Sequence, residues 1–214
     1  MSPTAMTRPV RFWLIRHALV SAEARAVLYG AADVPLCAAT LTAEAPLYRR
    51  LATLLPRPAR WLVSPLSRTR ATAAAIFAAG YPAQTLAVEP MLIEQTLGAW
   101  EGLPQAEVAA LFARRPSHFW PLPGDARPPG GGESMADVIA RVGAGLARLA
   151  IAHAGHDVVA VCHGGVIRAA LAHVLGIAAD QAQTISVANL SLTRIEYHRE
   201  GWWIGGVNQM PYEP

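Results

Sequence analysis

The sequence predicts an α/β protein, a three-layer α/β/α sandwich with a mostly parallel central sheet and an antiparallel edge strand. Strand-like and helix-like segments alternate along most of the 214 residues, which favours parallel strands covered by helices on both faces. The short apolar runs Val10–Ile15 and Asp157–Cys162 are typical of buried strands. Near the end of the chain, Arg199–Gly201 joins two apolar segments with a hairpin signal, which predicts the antiparallel edge.

The first half of the chain predicts three strands and two helices. Val10–Ile15 is the first strand, and Leu41–Leu55 has helical spacing with Thr40 or Thr42 as a plausible cap. A second strand precedes an alanine-rich helix that a glycine and a proline end, and a third strand follows. These three segments are Trp61–Val63, Leu66–Ala79 and Gln84–Val88.

The second half of the chain continues the alternation after an irregular stretch. Glu94–Gly102 is irregular, and the glycines and prolines of Pro116–Gly132 predict a surface loop or cap. We therefore expect one domain over residues 1–214, in which residues 95–132 or so form a cap or loop insertion over the functional site. The remaining elements are predicted at Pro104–Arg114, Glu133–His153, Asp157–Cys162, Gly164–Leu175, Leu190–Tyr197 and Trp202–Val207.

The composition predicts a folded cytoplasmic protein without a nucleic-acid or membrane partner. Hydrophobic residues make up 53% and charged residues 15% of the chain, which argues against disorder. All 18 basic residues are dispersed arginines, so the net charge of +3 is weak evidence for nucleic acid. The apolar run before Arg16 is too short for a membrane span, and Cys37 and Cys162 have no metal-like or disulfide-like spacing. A homodimer is left open.

Two predicted strands end in residues that suit an anionic ligand. Arg16 and His17 follow the first strand, and His163 follows the most apolar one. Since ligands of open α/β sheets bind beyond the carboxyl ends of the strands, both histidines are expected to face one crevice. Gly164 and Gly165 allow close approach of the backbone and begin a helix, whose N-terminal N–H groups favour an anion.

Two further residues are candidates for the same chemistry. Arg68 lies in the first turn of the helix that follows Ser64, and its planar guanidinium suits phosphate oxygens. Glu94 lies in a loop at a sheet end, where acid–base carboxylates are usually carried. Taken alone, Arg68 is more often a surface ion-pair residue, and Glu94 could cap a helix. We expect ion pairs or caps near the site from Arg70, Glu101, Glu133 and Arg168.

Four blocks of the sequence resemble the histidine phosphatases, also called the phosphoglycerate-mutase-like superfamily. The family's Leu-x-Arg-His-Gly, Ser-Pro-Leu-x-Arg, Glu-x-x-x-Gly-x-Trp-Glu-Gly and His-Gly-Gly signatures correspond to Leu14–Ala18, Ser64–Arg68, Glu94–Gly102 and Cys162–Arg168. Any one block is a weak signal. Four blocks in family order across nearly the whole chain make the resemblance specific.

The resemblance implies a phosphohistidine mechanism on a small phosphorylated substrate, without a metal ion or other cofactor. Its implied catalytic residues are His17, Glu94 and His163. Neutral His17 would attack phosphorus, Glu94 would protonate the leaving oxygen, and water would then hydrolyse the phosphohistidine. The phosphoryl oxygens would be held by Arg16, Arg68, His163 and Gly164.

The sequence departs from the family pattern after the first histidine. Ala18 replaces the usual glycine, and Glu23 stands where an asparagine is expected, so we expect a rearranged loop with Glu23 pointing away. The segment Tyr29–Leu36 looks most like the α-ribazole phosphatase branch of cobalamin synthesis. Two alternatives stay open: a phosphoglycerate mutase-type phosphotransferase, and a non-catalytic module that binds a phosphorylated ligand.

Overall fold

The chain folds around a six-stranded sheet in a computed structural model that describes residues 8–104, 106–107, 110 and 122–212. Its strands are β1 (Val10–Arg16), β2 (Arg60–Val63), β3 (Leu86–Val88), β4 (Asp157–Cys162), β5 (Leu192–His198) and β6 (Gly201–Gln209). Its helices are α1 (Ala22–Arg25), α2 (Ala38–Ala43), α3 (Ala45–Leu54), α4 (Ser67–Ala78), α5 (Met135–Ala152), α6 (Gly164–Leu175) and α7 (Ala179–Gln183). Two 3₁₀ turns lie at Pro90–Leu92 and Gly98–Trp100.

The sheet is parallel in its first four strands and antiparallel at one edge. The strand order is β3-β2-β4-β1-β5-β6, and β3, β2, β4 and β1 all run in the same direction. β5 is antiparallel to β1, and β6 is antiparallel to β5. The predicted α/β class is therefore confirmed. The predicted antiparallel edge is a hairpin of two strands.

Helices cover both faces of the sheet and give each face its own core. On one face α5 and α6 contribute the buried side chains of Val142, Leu146 and Leu171. On the other face α3 and α4 contribute Leu51 and Ile76. The central strand β4 is buried at every position, which is why its sequence is continuously apolar after the first residue. These two cores confirm the three predicted layers.

The prediction of one continuous helix over Leu41–Leu55, with Thr40 or Thr42 as its cap, is wrong. In place of a single helix over Leu41–Leu55, the chain forms α2 and α3, which meet at Glu44. Pro46 lies in the first turn of α3 and has no N–H to donate to the preceding turn, so the helical ladder is interrupted there. The residue at the N-cap of α2 is Cys37, and Thr40 instead donates its hydroxyl to the Cys37 carbonyl over 3.0 Å.

Part of the predicted cap lies outside the described residues. This holds for most of the predicted helix Pro104–Arg114 and for positions 116–121 of the predicted loop. The described end of that loop packs on the segment after Glu94, where the Ala99 N–H donates to the Pro129 carbonyl over 2.7 Å. Within the described part of the chain, no helix is long and apolar enough to cross a membrane.

The longest described helix, α5, begins with a complete capping box. The Ser134 hydroxyl accepts the Asp137 N–H at 3.1 Å, and the Asp137 carboxylate accepts the Ser134 N–H at 2.8 Å. Two otherwise unpaired N–H groups at the helix start are satisfied in this way. A helix that packs against α6 along much of its length therefore starts at a fixed position.

We expect Ser134→Ala to lower the free energy of unfolding by about 1 kcal/mol, because Asp137 N–H loses its acceptor. Urea denaturation followed by circular dichroism measures the change. Ser134→Thr is the control, since threonine keeps a hydroxyl acceptor. Equal stability of the alanine variant and the wild-type protein would contradict the role of this cap.

Candidate active site

Three parallel strands end side by side, and each is followed by a polar side chain of the site. His17 follows β1, Ser64 follows β2, and His163 follows β4. The His17 N–H donates to the Cys162 carbonyl over 2.9 Å, so the ladder between β1 and β4 continues past Arg16. The rings of His17 and His163 consequently meet edge to face, with their centroids 5.1 Å apart. The structure thus brings the two predicted histidines together.

His17 is a buried, neutral imidazole whose proton position follows from its contacts. Its Nδ1 lies 2.7 Å from the carbonyl oxygen of Ala18. Because a carbonyl can only accept, Nδ1 carries the proton and Nε2 keeps its lone pair. Burial, with the positive charges of Arg68 and Arg16, lowers the pKa of His17 to about 3. Nε2 of His17 therefore has the form that a nucleophile requires.

His163 is fully buried and hydrogen-bonded at both ring nitrogens. Its Nδ1 is 3.3 Å from Arg68 Nε, which is always a donor, so Nδ1 accepts and Nε2 carries the proton. Nε2–H then donates to the Ser64 hydroxyl over 2.8 Å. Burial, together with the neighbouring His17 and Arg68, lowers the pKa of His163. The His163 ring therefore orients Arg68. The contact of His163 with phosphoryl oxygens stays a prediction.

The Arg68 guanidinium is completely buried and is held by a neighbouring loop. Nη1 donates to the Ala32 carbonyl over 2.7 Å, and Nη2 donates to the Gly30 carbonyl over 2.9 Å. The Tyr29 ring lies against the same group, 5.3 Å from Cζ to the ring centroid. Of the five N–H groups, one on each Nη is not used by these carbonyls or by His163. Arg68 is fixed in place with donors left for an anion.

Arg16 supplies a second guanidinium beside the start of α6. Its Nη1 donates to the Val187 carbonyl over 2.6 Å, while its buried Nε has no hydrogen-bond partner within the described ranges. A Cβ atom placed on Gly164 would lie 3.5 Å from that Nε and 3.3 Å from Nη1 of Arg168. Both guanidinium groups therefore lie close to Gly164 at the helix N-terminus.

Glu94 contacts the same helix N-terminus from the opposite loop. Its Oε2 accepts the Gly165 N–H at 3.2 Å, and its Oε1 accepts the Gln95 N–H at 2.9 Å. A Cβ atom on Gly165 would overlap Oε1, so only glycine permits this approach. The positive charges of Arg68 and Arg168 also act on the Glu94 carboxylate. The predicted acid therefore lies within the same charged group as Arg68 and Arg168.

A cavity of about 220 Å³ borders this group, and Glu94 and Gly165 form part of its wall. The apolar part of the wall is formed by Val27, Leu28, Tyr29, Leu97 and Met135. Its remaining lining residues are Gly30, Gln95, Arg168 and Gln183. In the residues that the structure describes, no group of three or more His, Cys, Asp and Glu side chains could hold a metal ion.

Of the residues expected to form ion pairs or caps near the site, Glu133 forms an ion pair, whereas Arg70 and Arg168 donate to backbone carbonyls. Glu133 forms an ion pair with Arg141, whose Nε lies 2.9 Å from Oε1. Exposed Arg70 donates to the Pro65 carbonyl over 3.1 Å. Arg168 donates Nε–H to a backbone carbonyl, that of Ile185, over 2.8 Å, but its side chain also lines the cavity.

Sequence reasoning missed several residues that contact the predicted site residues or their neighbours. Asn189 donates to the His17 carbonyl over 2.8 Å, and Thr72 accepts the N–H of fully buried Ala18 at 3.0 Å. Ser64 lies in a recognised block, but its partnership with His163 carries no sequence signal of its own. Glu23 is exposed in the first turn of α1, in line with the expected rearrangement of this loop.

The profile of the histidine phosphatase superfamily (branch 1) matches residues 12–210, which include all of these site residues. The chain belongs to this superfamily. The resemblance that the four sequence blocks indicate is thereby confirmed. The antiparallel hairpin β5–β6 lies within the matched region as well, so the family match extends over the whole sheet except the first two residues of β1.

Curated relatives of this chain include two longer proteins. A metal-independent phosphoserine phosphatase of Arabidopsis thaliana is 31% identical over 156 residues, which are 73% of this chain and 65% of that protein. A bifunctional protein of Mycobacterium tuberculosis is 34% identical over 139 residues, 64% of this chain. The aligned part is 37% of the bifunctional protein, so this chain spans little more than a third of it.

Solved structures of similar fold include phosphatases with different substrates in their names. The mycobacterial glucosyl-3-phosphoglycerate phosphatase superposes with a TM-score of 0.78 at 25% identity, over 94% of this chain and 100% of that one. The α-ribazole phosphatase of Shigella flexneri has a TM-score of 0.71 at 24% identity, over 95% and 100% of the two chains. The likeness to the second structure concerns the fold alone.

The lowered pKa of His17 predicts that its ring stays neutral when the pH falls from about 8 to about 5, across the ordinary histidine value of 6.5. Burial and two nearby arginines disfavour the imidazolium throughout this range. The ¹⁵N chemical shifts of the labelled ring, assigned with a His17→Gln variant, measure the titration. Protonation with a midpoint near 6.5 would contradict a ring that burial and the arginines keep neutral.

Proposed function

We propose that the protein is a phosphomonoester hydrolase that works through a phosphohistidine at Nε2 of His17. The observation that carries the proposal is the buried neutral imidazole of His17 beside the guanidinium groups of Arg16 and Arg68. A neutral imidazole can attack phosphorus, while two fixed cations stabilise the charge on the equatorial oxygens. His163 supports this arrangement by orienting Arg68, and Gly164 gives room for the anion.

The reaction is proposed to proceed in two displacements. In the first, Nε2 of His17 forms a bond to phosphorus, the bond from phosphorus to the leaving oxygen breaks, and the carboxyl proton of Glu94 passes to that oxygen. In the second, the Glu94 carboxylate takes a proton from water while the water oxygen attacks phosphorus. The bond between nitrogen and phosphorus then breaks, and inorganic phosphate leaves. Both proton transfers use the same carboxyl group, as general acid–base catalysis allows.

The cavity beside Glu94 is proposed as the site of the leaving group. Its apolar wall suits a flat or apolar alcohol, and Tyr29 and Gly30 come from the segment that resembles the α-ribazole phosphatases. We therefore propose α-ribazole phosphate as the first substrate to test, in the cytoplasm, where the free thiols of Cys37 and Cys162 are stable.

A substrate panel tests this assignment against its rivals. It contains α-ribazole phosphate, phosphoserine, phosphoglycerate and a nucleotide, and the release of inorganic phosphate is measured. Preferred release from α-ribazole phosphate supports the narrower assignment. Transfer of phosphate between hydroxyl groups without release would favour a mutase, which needs a site that excludes water. Binding without turnover of any compound would favour a non-catalytic module.

His17→Ala should abolish turnover, because the variant lacks the atom that forms the bond to phosphorus. Wild-type protein incubated with a labelled phosphomonoester should carry acid-labile, base-stable phosphate at His17. The exposed His156 provides the matched control. His156→Ala should hydrolyse the phosphomonoester and incorporate labelled phosphate as the wild-type protein does. Undiminished hydrolysis by His17→Ala would end the proposed mechanism.

Glu94→Gln should slow the hydrolysis of an alkyl phosphate by about 100-fold or more, because the alkoxide leaves only with a proton. The hydrolysis of p-nitrophenyl phosphate should slow by about tenfold or less, since its leaving group departs as an anion. The amide oxygen can still accept the Gly165 N–H, which limits changes in the loop. Equal fractional losses of kcat/KM on both substrates, with chemistry limiting, would count against Glu94 as the acid.

A further inference from the structure

One oxygen of Glu101 joins two loops of the site. Glu101 Oε1 accepts the Ala31 N–H at 3.1 Å, the Leu97 N–H at 3.0 Å and the Thr96 hydroxyl at 3.2 Å. The first donor belongs to the loop beside Arg68, and the other two belong to the segment that follows Glu94. A carboxylate oxygen is a strong acceptor for several donors at once, and such charge-assisted hydrogen bonds are the stronger ones.

The first of these contacts fixes one of the carbonyls that hold Arg68. Ala31 lies between Gly30 and Ala32, and the carbonyl oxygens of these two residues accept both Nη groups of Arg68 at 2.9 and 2.7 Å. Because the Gly30 carbonyl and the Ala31 N–H lie in one rigid peptide plane, holding the N–H of Ala31 restricts the direction of the Gly30 carbonyl. Glu101 therefore acts on Arg68 through the backbone, without touching it.

Close packing at Gly30 makes this arrangement specific. Gly30 has a φ of +40°, and a Cβ atom there would lie 2.8 Å from both Glu101 Oε1 and Leu97 Cγ. A side chain at position 30 would therefore push the loop away from Glu101. The two loops meet without space for adjustment at the point where Glu101 joins them.

The other two contacts act on the segment that carries Glu94. Thr96 and Leu97 follow Glu94 by two and three residues, and Glu101 accepts from both of them. Glu94 itself contacts the start of α6 through the Gly165 N–H. The position of its carboxylate thus depends on how the chain from Glu94 to Leu97 is held.

Asp33 anchors only the first of the two loops. Its Oδ1 accepts the N–H and the hydroxyl of Ser67 at 2.8 and 2.7 Å, at the first residue of α4. Arg68 is the next residue of that helix. Asp33 thereby ties the loop that holds Arg68 to the helix that carries Arg68. Across residues 8–104 and 122–212, Asp33 accepts no hydrogen bond from the Glu94 segment.

We propose that Glu101 is a positioning residue that sets Arg68 and Glu94 relative to each other. It couples the group that binds the phosphoryl oxygens to the group that protonates the leaving oxygen. The part of this inference that concerns Glu94 rests on the proposed function. The part that concerns Arg68 involves phosphate binding alone. Loss of the Glu101 oxygen should therefore weaken both phosphate binding and protonation of the leaving oxygen. Loss of the Asp33 carboxylate should weaken only phosphate binding.

The test compares Glu101→Ala, Glu101→Asp, Glu101→Gln and Asp33→Ala with the wild-type protein. In the alanine and aspartate variants no carboxylate oxygen reaches the donors of Ala31, Thr96 and Leu97. The aspartate variant is measured alone if the alanine variant does not fold. Glutamine keeps an acceptor at the same reach. Asp137→Asn is the matched control, because Asp137 also receives an N–H at a helix start but contacts neither loop. Binding of inorganic phosphate is measured by titration calorimetry, and kcat and KM are measured on an alkyl phosphate and on p-nitrophenyl phosphate.

We expect Glu101→Ala and Glu101→Asp to weaken phosphate binding about tenfold and to reduce kcat on the alkyl phosphate about tenfold more than on p-nitrophenyl phosphate. Asp33→Ala should weaken phosphate binding while the ratio of the two kcat values stays at its wild-type level. Glu101→Gln should recover most of both losses, and Asp137→Asn should change neither.

Three results would overturn the proposal: unchanged phosphate affinity in folded Glu101→Asp, an unchanged ratio of kcat values in that variant, or the same changes in Asp137→Asn. Wild-type protein that hydrolyses neither substrate would contradict the proposed function. In that case the calorimetric comparison still decides whether Glu101 positions Arg68, so the two failures are distinguishable.

Discussion

The buried guanidinium of Arg68 is the constraint on which the rest of the site depends. A full positive charge without exposed surface is expensive unless it is hydrogen-bonded. Two backbone carbonyls of the loop at Gly30–Ala32 and one ring nitrogen of His163 meet that need. The charge then acts on its surroundings: together with burial it lowers the pKa of His17 and keeps that ring neutral. We propose that the same charge also acts on a bound phosphoryl group.

The sheet makes this burial possible because its parallel strands end together. The ends of β1 and β4 place His17 and His163 in edge-to-face contact. Short loops then supply what the strands cannot: carbonyls for Arg68 and a carboxylate, that of Glu94, at the start of α6. The rigid elements fix the histidines, and the loops fix the charged groups around them. Mutations in the loops should therefore alter catalysis more than stability.

The sequence predicts those features that local patterns determine. Apolar runs located the strands, and the polar residues directly after them located Arg16, His17 and His163. The break at Glu44 was missed because helical spacing continues through it, although Pro46 marks the interruption. The carbonyls that hold Arg68 could not be predicted, since every residue has a carbonyl and only the loop conformation directs it. For the same reason Glu101 resembled an ordinary ion-pair residue, and its three donors became evident only from the fold.

The most direct measurement of the central claim is a crystal structure of the protein with orthovanadate, whose five-coordinate form resembles phosphorus during transfer. We expect vanadium bonded to Nε2 of His17, with equatorial oxygens within hydrogen-bond distance of Arg16 and Arg68. The apical oxygen opposite Nε2 should face the Glu94 carboxylate and the cavity beside it. Vanadium bound away from His17, or with its equatorial oxygens in contact with neither arginine, would contradict the account.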